Sequence, residues 1–269
     1  MSALLEFDRV TFAYAGSGVS ALTDLCLRVS EGEGLALLGP NGAGKTTALR
    51  LAMALLHPSA GEARVMGQPT AGRMPEDLAG DAGFLFQQPE HQLFASSVRE
   101  DVAFGPRQLG RSNVDDAVER ALDQLELCDV APTHPYDLPA PRRRLVALAG
   151  VLALRPRLLL LDEPTAGLDR HSRTLVRRAL AAHRAAGGAV VAVSHDGEFV
   201  LEALDRALTL EHGRVVGDGS SAEALGQPGA PPAPAWARLV ARLGAPPARW
   251  RFEPAVEFVA TRCRVAPDA

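Results

Sequence analysis

The feature that most constrains this chain is the stretch at residues 39–46, which reads Gly-Pro-Asn-Gly-Ala-Gly-Lys-Thr. It fits the pattern G-x-x-x-x-G-K-[ST] in full. The apolar residues Gly34–Leu38 before it predict a buried strand, and residues 47–56 after it predict a helix that ends before Pro58. A strand, a glycine-rich loop and a helix in this order direct backbone N–H groups toward a polyphosphate. We therefore expect this loop to bind a nucleotide.

The lysine of this loop is unusual for the chain as a whole. Of the 28 basic Lys and Arg residues, 27 are arginine and only Lys45 is lysine. In a phosphate loop the ammonium group of Lys45 reaches the β and γ phosphates, and the hydroxyl of Thr46 holds Mg2+. The alternative is an ordinary glycine turn with an exposed lysine.

A second candidate element is an apolar run followed by two acids, Leu158 to Leu161 and then Asp162 and Glu163. Four apolar residues in succession favour a strand covered on both faces of a parallel sheet. Acids at the carboxyl end of such a strand lie where α/β folds bind ligands. We expect Asp162 to coordinate Mg2+ through water and Glu163 to act as the general base that polarises the attacking water. A core strand that ends in a solvated acidic turn is the alternative.

Composition excludes several other classes of protein. The 269 residues are 47% hydrophobic, which excludes a largely disordered chain, and the net charge of −4 lacks the basic footprint of a nucleic-acid binder. No apolar run approaches the ~18–20 residues of a membrane span, and no basic, apolar leader opens the sequence. Cys26, Cys128 and Cys263 match no zinc spacing and no disulfide framework. These observations predict a soluble, cytosolic protein.

With these motifs in place, the chain from about residue 4 to residue 224 resembles the ATPase subunits of ABC transporters. The resemblance extends to Tyr14, where that family stacks an aromatic side chain on adenine, and to Gln87, where it has a glutamine that touches Mg2+ and reports to the membrane partner. Gln88 makes this second assignment ambiguous. Residues 164–169 resemble the family's D-loop at the dimer interface, and His195 matches its switch histidine, which contacts the γ-phosphate. A polar strand cap is the alternative for His195, and an ordinary strand tyrosine for Tyr14.

The resemblance implies a fold and a set of ligands. The fold is α/β, a P-loop NTPase core with a mainly parallel sheet, an N-terminal antiparallel β layer and an inserted helical subdomain. The ligands are ATP and Mg2+, with Thr46, Gln87 and Asp162 at the metal, and with Glu163, His195 and Gln87 in catalysis. The residues expected to bind the nucleotide are Tyr14, Gly39, Pro40, Asn41, Gly42, Ala43, Gly44, Lys45, Thr46 and Thr47.

A narrower resemblance lies at residues 86–94 and 98–106, which are similar to the ATPases of energy-coupling-factor importers, including the cobalt and nickel type. These importers take up vitamins or transition-metal ions. In that group the segment receives coupling helices of a transmembrane protein. Apolar side chains are suited to line such a groove, and acidic ones to pair with basic groups of the incoming helix: Leu93, Phe94 and Phe104, and Glu90, Glu100 and Asp101. The alternative is that these residues form the core and the solvated face of the helical subdomain itself.

One motif of the ABC family is broken in this sequence. The Leu-Ser-Gly-Gly-Gln loop, which presents a serine hydroxyl and glycine N–H groups to the γ-phosphate on the opposite subunit, aligns with Leu-Pro-Ala-Pro-Arg at residues 138–142. Neither Pro139 nor Pro141 has a backbone N–H, although prolines are tolerated at the start of a helix. Loss of one preorganised donor typically lowers the rate ~10²–10³-fold. We therefore expect this chain to pair with a second ATPase that has an intact loop, rather than with itself.

Three arginines follow the broken motif, Arg142, Arg143 and Arg144. A guanidinium near a γ-phosphate is chemically reasonable. Basic residues at this place also lie on an exposed helix surface in ordinary members of the family. Both interpretations stay open at the level of sequence.

The chain divides into an ATPase domain over residues 1–224, with its helical subdomain at about 87–150, and a linker and tail over 225–269 that are rich in Pro and Ala. The spacing of apolar residues predicts a helix over 113–127, whose apolar stripe is core, and a helix is expected over 235–243. The tail either packs on the core or meets a partner.

The sequence as a whole predicts an ATP-hydrolysing subunit that energises a membrane importer, peripheral on the inner face of the membrane. Its expected partners are a transmembrane coupling protein and a second ATPase, not a nucleic acid. The alternative function is a nucleotide-binding regulatory subunit with little turnover, which the broken loop favours. A soluble ABC protein that acts on DNA or ribosomes is disfavoured by the acidic charge and the single ATPase unit.

Overall fold

The computed structural model describes residues 2–225, 227, 229–247 and 250–262, and the side chains of all of these except Glu90 and Arg262. Cys263 and the end of the predicted tail lie outside the described residues. Among the helices of the described part, none combines the length and the apolar character that a bilayer crossing needs.

The strands of the described residues form two sheets. A four-stranded antiparallel sheet has the order β2-β1-β4-β5, and a six-stranded sheet has the order β10-β9-β3-β8-β7-β6, in which only the β9–β10 pair is antiparallel. The strands are β1 Ala3–Phe12, β2 Leu22–Ser30, β3 Gly34–Leu38, β4 Ala60–Val65, β5 Gln68–Pro69, β6 Ala82–Leu85, β7 Leu158–Asp162, β8 Ala189–Val193, β9 Arg206–Glu211 and β10 Arg214–Ser220. This confirms the predicted mainly parallel sheet and the N-terminal antiparallel layer.

Helices cover the central sheet and fill the insertion between β6 and β7. The α-helices are α1 Lys45–Ala52, α2 Pro75–Leu78, α3 Val98–Gln108, α4 Val114–Gln124, α5 Ala140–Ala153, α6 Arg170–Ala185, α7 Gly197–Ala203, α8 Ser221–Ala224, α9 Ala235–Arg242 and α10 Phe252–Arg262. Short 3-10 turns lie at Pro89–Gln92, Cys128–Val130 and Pro135–Asp137. We call the segment from α3 to α5 the helical lobe.

Two apolar cores lie on the two faces of the central sheet. Strands β3, β7 and β8 are buried at every position, as expected for parallel strands with both faces covered. Their side chains alternate between the two cores: Leu159 and Leu161 pack toward the helical lobe, whereas Leu158 and Leu160 pack toward α1 and the antiparallel sheet. The lobe is therefore joined to the nucleotide-site strands through a continuous core.

Helix α4 has the predicted amphipathic character. Val118, Ala121 and Leu122 are buried against the lobe, Leu125 just after the helix is also buried, and Val114 is partly buried. The stripe is core, as the spacing predicted.

The tail packs on the ATPase core. Helix α9 buries Ala237 in the core on the lobe side of the central sheet. Arg251 donates hydrogen bonds to the carbonyl of Leu201 at 3.1 Å and to Asp205 at 2.9 Å. The backbone of Phe252 donates to Glu202 at 2.6 Å. These contacts attach the described tail to α7, the helix that follows His195.

Candidate nucleotide-binding and hydrolysis site

The phosphate loop connects the carboxyl end of β3 to the first turn of α1. Gly39, Gly42 and Gly44 all have positive φ, between 80° and 131°, a backbone region that favours glycine. At Gly39 a Cβ would lie 2.0 Å from the carbonyl oxygen of Leu210, and at Gly44 2.5 Å from that of Ala21. Two of the loop glycines are thus required by close backbone contacts as well as by their dihedral angles.

Helix α1 differs from its predicted span. It begins at Lys45 instead of Thr47, because Gly44 takes the left-handed cap conformation and lets Lys45 and Thr46 enter the first turn. It ends at Ala52, where Met53 and the left-handed Ala54 turn the chain, well before Pro58. The side chain of Lys45 thus starts from the amino-terminal end of a helix, where the free N–H groups favour an anion.

The ammonium group of Lys45 is held by the loop itself. Its Nζ donates to the carbonyls of Gly39 at 2.7 Å and Pro40 at 2.9 Å, and the residue is buried. Burial lowers the pKa of Lys45, whereas the nearby carboxylates of Glu163 and Asp162 act in the opposite direction. The charge is therefore oriented in the loop before any phosphate binds.

Thr46 and Asp162 lie together beneath the loop. The Thr46 hydroxyl donates to Asp162 Oδ2 at 2.9 Å. Burial raises the pKa of Asp162, and the bond from Thr46 and the charges of Arg50, Lys45 and Arg144 oppose that rise. In the described residues, no group of three or more His, Cys, Asp or Glu side chains is placed to hold a metal by itself. A hydroxyl and a carboxylate fit Mg2+, which uses few protein ligands and is completed by substrate phosphates and water.

Glu163 and His195 approach each other from the ends of neighbouring strands. Glu163 Oε2 accepts the backbone N–H of His195 at 3.2 Å, and Nε2 of the imidazole lies 3.6 Å from Oε1. Among the described residues Oε1 is buried without a hydrogen-bond partner. Burial raises the pKa of Glu163, which the contacts with His195 oppose. A buried carboxylate with one free oxygen is suited to accept a proton from water.

Tyr14 and Gln87 lie on the walls of the same cavity, which encloses about 570 Å3. The Tyr14 hydroxyl is 3.1 Å from Thr47 Oγ1, and its ring packs edge-to-face on Phe12 at 4.9 Å. Gln87 lies just beyond β6 and is exposed to the cavity, whereas Gln88 lines only the neighbouring depression beside Arg50. The structure therefore brings side chains from distant parts of the sequence to one cavity: Tyr14, Lys45, Thr46, Gln87, Asp162, Glu163 and His195.

The broken loop forms the start of α5. Pro139 occupies the N-cap without a side-chain cap bond, and Pro141 lies in the first turn, so this helix terminus lacks the hydroxyl and two N–H groups that other residues would supply. Arg142 pairs with Asp129 at 2.9 Å, and the guanidinium of Arg143 lies 5.7 Å from the centre of the Tyr136 ring.

Sequence reasoning left Arg144 open between a phosphate contact and an exposed helix surface, and its contacts at this site match neither interpretation. Arg144 donates to the backbone carbonyls of Glu163 and Gln87. The run of three arginines was the only sequence signal, and it does not distinguish the three residues.

The D-loop residues surround the end of β7. Thr165 is buried, with its hydroxyl 3.4 Å from Asp196 Oδ2, and Asp169 caps α6 by accepting the N–H of Ser172 at 2.7 Å. Asp196 also caps α7 and pairs with Arg173 at 3.0 Å. The loop after Glu163 and the loop after His195 are thus linked through Asp196.

An apolar groove lies between the helical lobe and the core, with Val146 and Val151 of α5 on one side and Met53 and Leu55 on the other. It encloses about 340 Å3, and Phe94 and Phe104 pack edge-to-face at its rim with their rings 4.7 Å apart. Asp101 was predicted to pair with a basic group of an incoming helix. It is instead buried and accepts the backbone N–H groups of Phe94 and Ala95. Glu100 bonds to Ser96, and the side chain of Glu90 lies outside those that are described.

The chain is similar to known proteins over most of its length. A family model described as "ABC transporter" matches residues 22–166. A cobalt import ATP-binding protein from Rhodobacter capsulatus is 40% identical over 230 residues, which cover 84% of this chain and 81% of that protein. An energy-coupling factor transporter ATP-binding protein from Symbiobacterium thermophilum is 41% identical over 200 residues, 72% of this chain and 69% of that protein.

Solved structures give the same result. The structure of cbiO1 from Clostridium perfringens, described as part of the ABC transporter complex cbiONQ, is 27% identical with a TM-score of 0.76 and covers 91% of this chain and 97% of that one. The α/β fold and both resemblances predicted from the sequence are confirmed.

Proposed function

The chain belongs to the ABC transporter family of ATP-hydrolysing subunits, and from this premise we propose that it energises a membrane importer of the energy-coupling-factor type, with a transition-metal ion or a vitamin as cargo. Similarity to the cobalt import and energy-coupling factor ATP-binding proteins supports this cargo class. Such a subunit works peripherally on the inner face of the membrane. The single observation that carries the hydrolytic part is the buried Glu163 carboxylate, placed beside His195 at the edge of the phosphate cavity.

Each part of the cavity has a role toward ATP. Tyr14 stacks on the adenine, the N–H groups of the loop from Gly39 to Thr47 surround the phosphates, and Lys45 moves from its carbonyl partners to the β and γ phosphates. Thr46, Asp162 and Gln87 hold Mg2+, which neutralises phosphate charge when bound. This move is favourable because the ammonium group of Lys45 exchanges two neutral carbonyl oxygens for anionic phosphate oxygens.

Glu163 and His195 carry out the chemical step. Glu163 accepts a proton from the attacking water through Oε1, which accepts no hydrogen bond among the described residues, and its raised pKa makes it a stronger base than an exposed carboxylate. His195 contacts the γ-phosphate, and its backbone N–H keeps the second oxygen of Glu163 in place.

Glu163→Gln in the assembled complex tests this function. The amide keeps the shape of the side chain but cannot accept the proton, so we expect ATP turnover coupled to transport to fall ~10²–10⁴-fold while Mg-ATP still binds. Glu119→Gln, an exposed glutamate on α4 paired with Arg99, is the control and keeps wild-type turnover. Unchanged transport in Glu163→Gln would instead support the regulatory alternative.

The apolar groove between the helical lobe and the core receives a helix of a transmembrane protein. Its apolar lining and its exposed rim residues Phe94 and Phe104 are the type of surface that accepts an amphipathic helix. Phe94 is 62% exposed, so Phe94→Asp leaves the free energy of unfolding nearly unchanged but prevents co-purification with the membrane subunit. Val216→Asp, at a 56% exposed position on β10, is the matched control. Retention of the membrane subunit by Phe94→Asp would contradict this docking site.

A second ATPase with an intact Leu-Ser-Gly-Gly-Gln loop completes the site. The start of α5 offers neither a serine hydroxyl nor the full set of N–H groups, so a partner's γ-phosphate gains little from it. The competent site therefore combines Lys45 and Glu163 of this chain with the loop of the partner. The opposite site binds ATP and hydrolyses it slowly.

A further inference from the structure

Arg144 reaches from the second turn of α5 into the nucleotide site. Its Nη1 donates to the carbonyl of Glu163 at 2.9 Å, and its Nη2 to the carbonyl of Gln87 at 3.2 Å. The two acceptors follow β7 and β6, which are adjacent parallel strands. One guanidinium therefore connects the helical lobe to two loops of the site in the same subunit.

The contact fixes an unusual backbone conformation. Glu163 has φ of 54°, in the left-handed region that a residue with a side chain rarely adopts. Its N–H donates to the carbonyl of Val193 at 2.9 Å, and its own carbonyl accepts from Arg144 at 2.9 Å and from the N–H of Ala166 at 3.2 Å. Both backbone polar groups are held, so the direction in which the carboxylate leaves the chain depends on β8, on the turn to Ala166 and on Arg144, the one side chain among these contacts.

Among the described residues, neither neighbouring arginine makes a contact of this kind. Arg142 pairs with Asp129, and Arg143 packs on Tyr136. The planar guanidinium donates to the two carbonyls from two separate nitrogens in fixed geometry, whereas an ammonium group carries all its N–H donors on one nitrogen. The charge of Arg144 also favours the ionised form of Asp162.

We propose that Arg144 is a positioning residue for ATP hydrolysis, which sets the placement of the Glu163 carboxylate relative to Gln87 and transmits the position of the helical lobe to that carboxylate. This inference rests on the proposed function, in which Glu163 is the base and Gln87 touches the metal. It assigns Arg144 to its own subunit's site, not to the phosphate of a partner. Movement of the lobe by a docked membrane helix then changes the alignment of the base directly.

The test compares Arg144→Gln, Arg144→Lys and Arg142→Gln in the assembled complex. A displacement of about 1 Å in a reacting group can lower the rate ~10²-fold, so we expect kcat of Arg144→Gln to fall about 10- to 100-fold. The Kd for Mg-ATP and the Tm stay close to wild type, because no phosphate contact or core packing is lost. Arg144→Lys, which keeps the charge but donates from a single nitrogen on a shorter side chain, has an intermediate kcat, and Arg142→Gln is unchanged.

Each other outcome contradicts the inference. Wild-type kcat in Arg144→Gln shows that the contact does not position the base, and a parallel loss of kcat, nucleotide affinity and Tm shows a merely structural role. Equal losses in Arg142→Gln show a general effect of charge on this helix. If Glu163→Gln retains full turnover, the proposed function itself fails, and the inference fails with it; if only the Arg144 variants retain full turnover, the function stands and the inference is wrong.

Discussion

Lys45 shows how much of this site is formed by the chain alone. Its ammonium group is already buried and oriented by the carbonyls of Gly39 and Pro40, so ATP binding redirects an ordered charge. The ordering of a long side chain normally opposes binding, and here it has largely occurred beforehand.

At this scale the prediction concerns the side chain of Lys45. Lys45→Ala removes a charge-assisted bond of about 1.5–3 kcal/mol, so we expect the Kd for Mg-ATP to rise at least about tenfold. Isothermal titration calorimetry on the purified chain measures this. Arg178→Ala removes one exposed cation of α6 and should leave the Kd unchanged. Equal affinities of wild type and Lys45→Ala would place the phosphates elsewhere.

Residues whose chemistry is local in sequence could be predicted, and those that act through distant backbone atoms could not. The glycines, Lys45 and Thr46 form one continuous motif, and Asp162 and Glu163 directly follow an apolar strand. Arg144 instead donates to carbonyls that lie 19 and 57 positions away. A main-chain acceptor has no residue type, so no sequence pattern indicates that contact.

At the scale of elements, the turn between α6 and β8 depends on a partly buried histidine. His183 Nε2 lies 3.3 Å from the carbonyl of Ala189, and a Cβ at Gly188 would lie 2.2 Å from the same nitrogen. Burial lowers the pKa of His183, although its bonds to the backbone of Ala189 and Arg157 oppose this. The imidazole is therefore neutral in the folded chain at a pH where an unfolded chain would already bind a proton.

The second prediction follows from this difference. Below the ordinary histidine pKa the unfolded chain binds a proton at this position more readily than the folded chain, so the contribution of His183 makes the free energy of unfolding decrease as the pH falls from 7 to 5. His183→Gln should reduce that decrease, whereas His57→Gln, at an exposed position, should not. Denaturant unfolding at several pH values measures both. The same slope in wild type and His183→Gln would show that His183 does not cause the decrease.

Helix spans were predicted better in the lobe than at the site. The predicted helix over 113–127 contains the observed α4, Val114–Gln124, because its apolar stripe is packed on core. Helix α1 was misplaced at both ends, since its start depends on the φ of Gly44 and its end on the turn at Ala54. Neither dihedral angle can be read from residue type alone.

At the scale of the whole molecule, the sequence left the position of the tail undecided. The described tail attaches to α7 through Arg251, and at Gly197 a Cβ would lie only 2.3 Å from the carbonyl of Pro232. These contacts join segments more than thirty residues apart and involve backbone groups. Periodicity alone therefore predicted helix α9 but not its docking place.

The central claim of this account is that one chain has an intact nucleotide site and a defective loop toward its partner's nucleotide. The direct measurement is steady-state ATP hydrolysis by the purified chain at saturating Mg-ATP, compared with the double variant Pro139→Ser and Pro141→Gly. The wild type should turn over slowly, and the restored hydroxyl and two N–H groups should raise its turnover at least about tenfold. Rapid hydrolysis by the wild type alone, equal to that of the double variant, would contradict the claim.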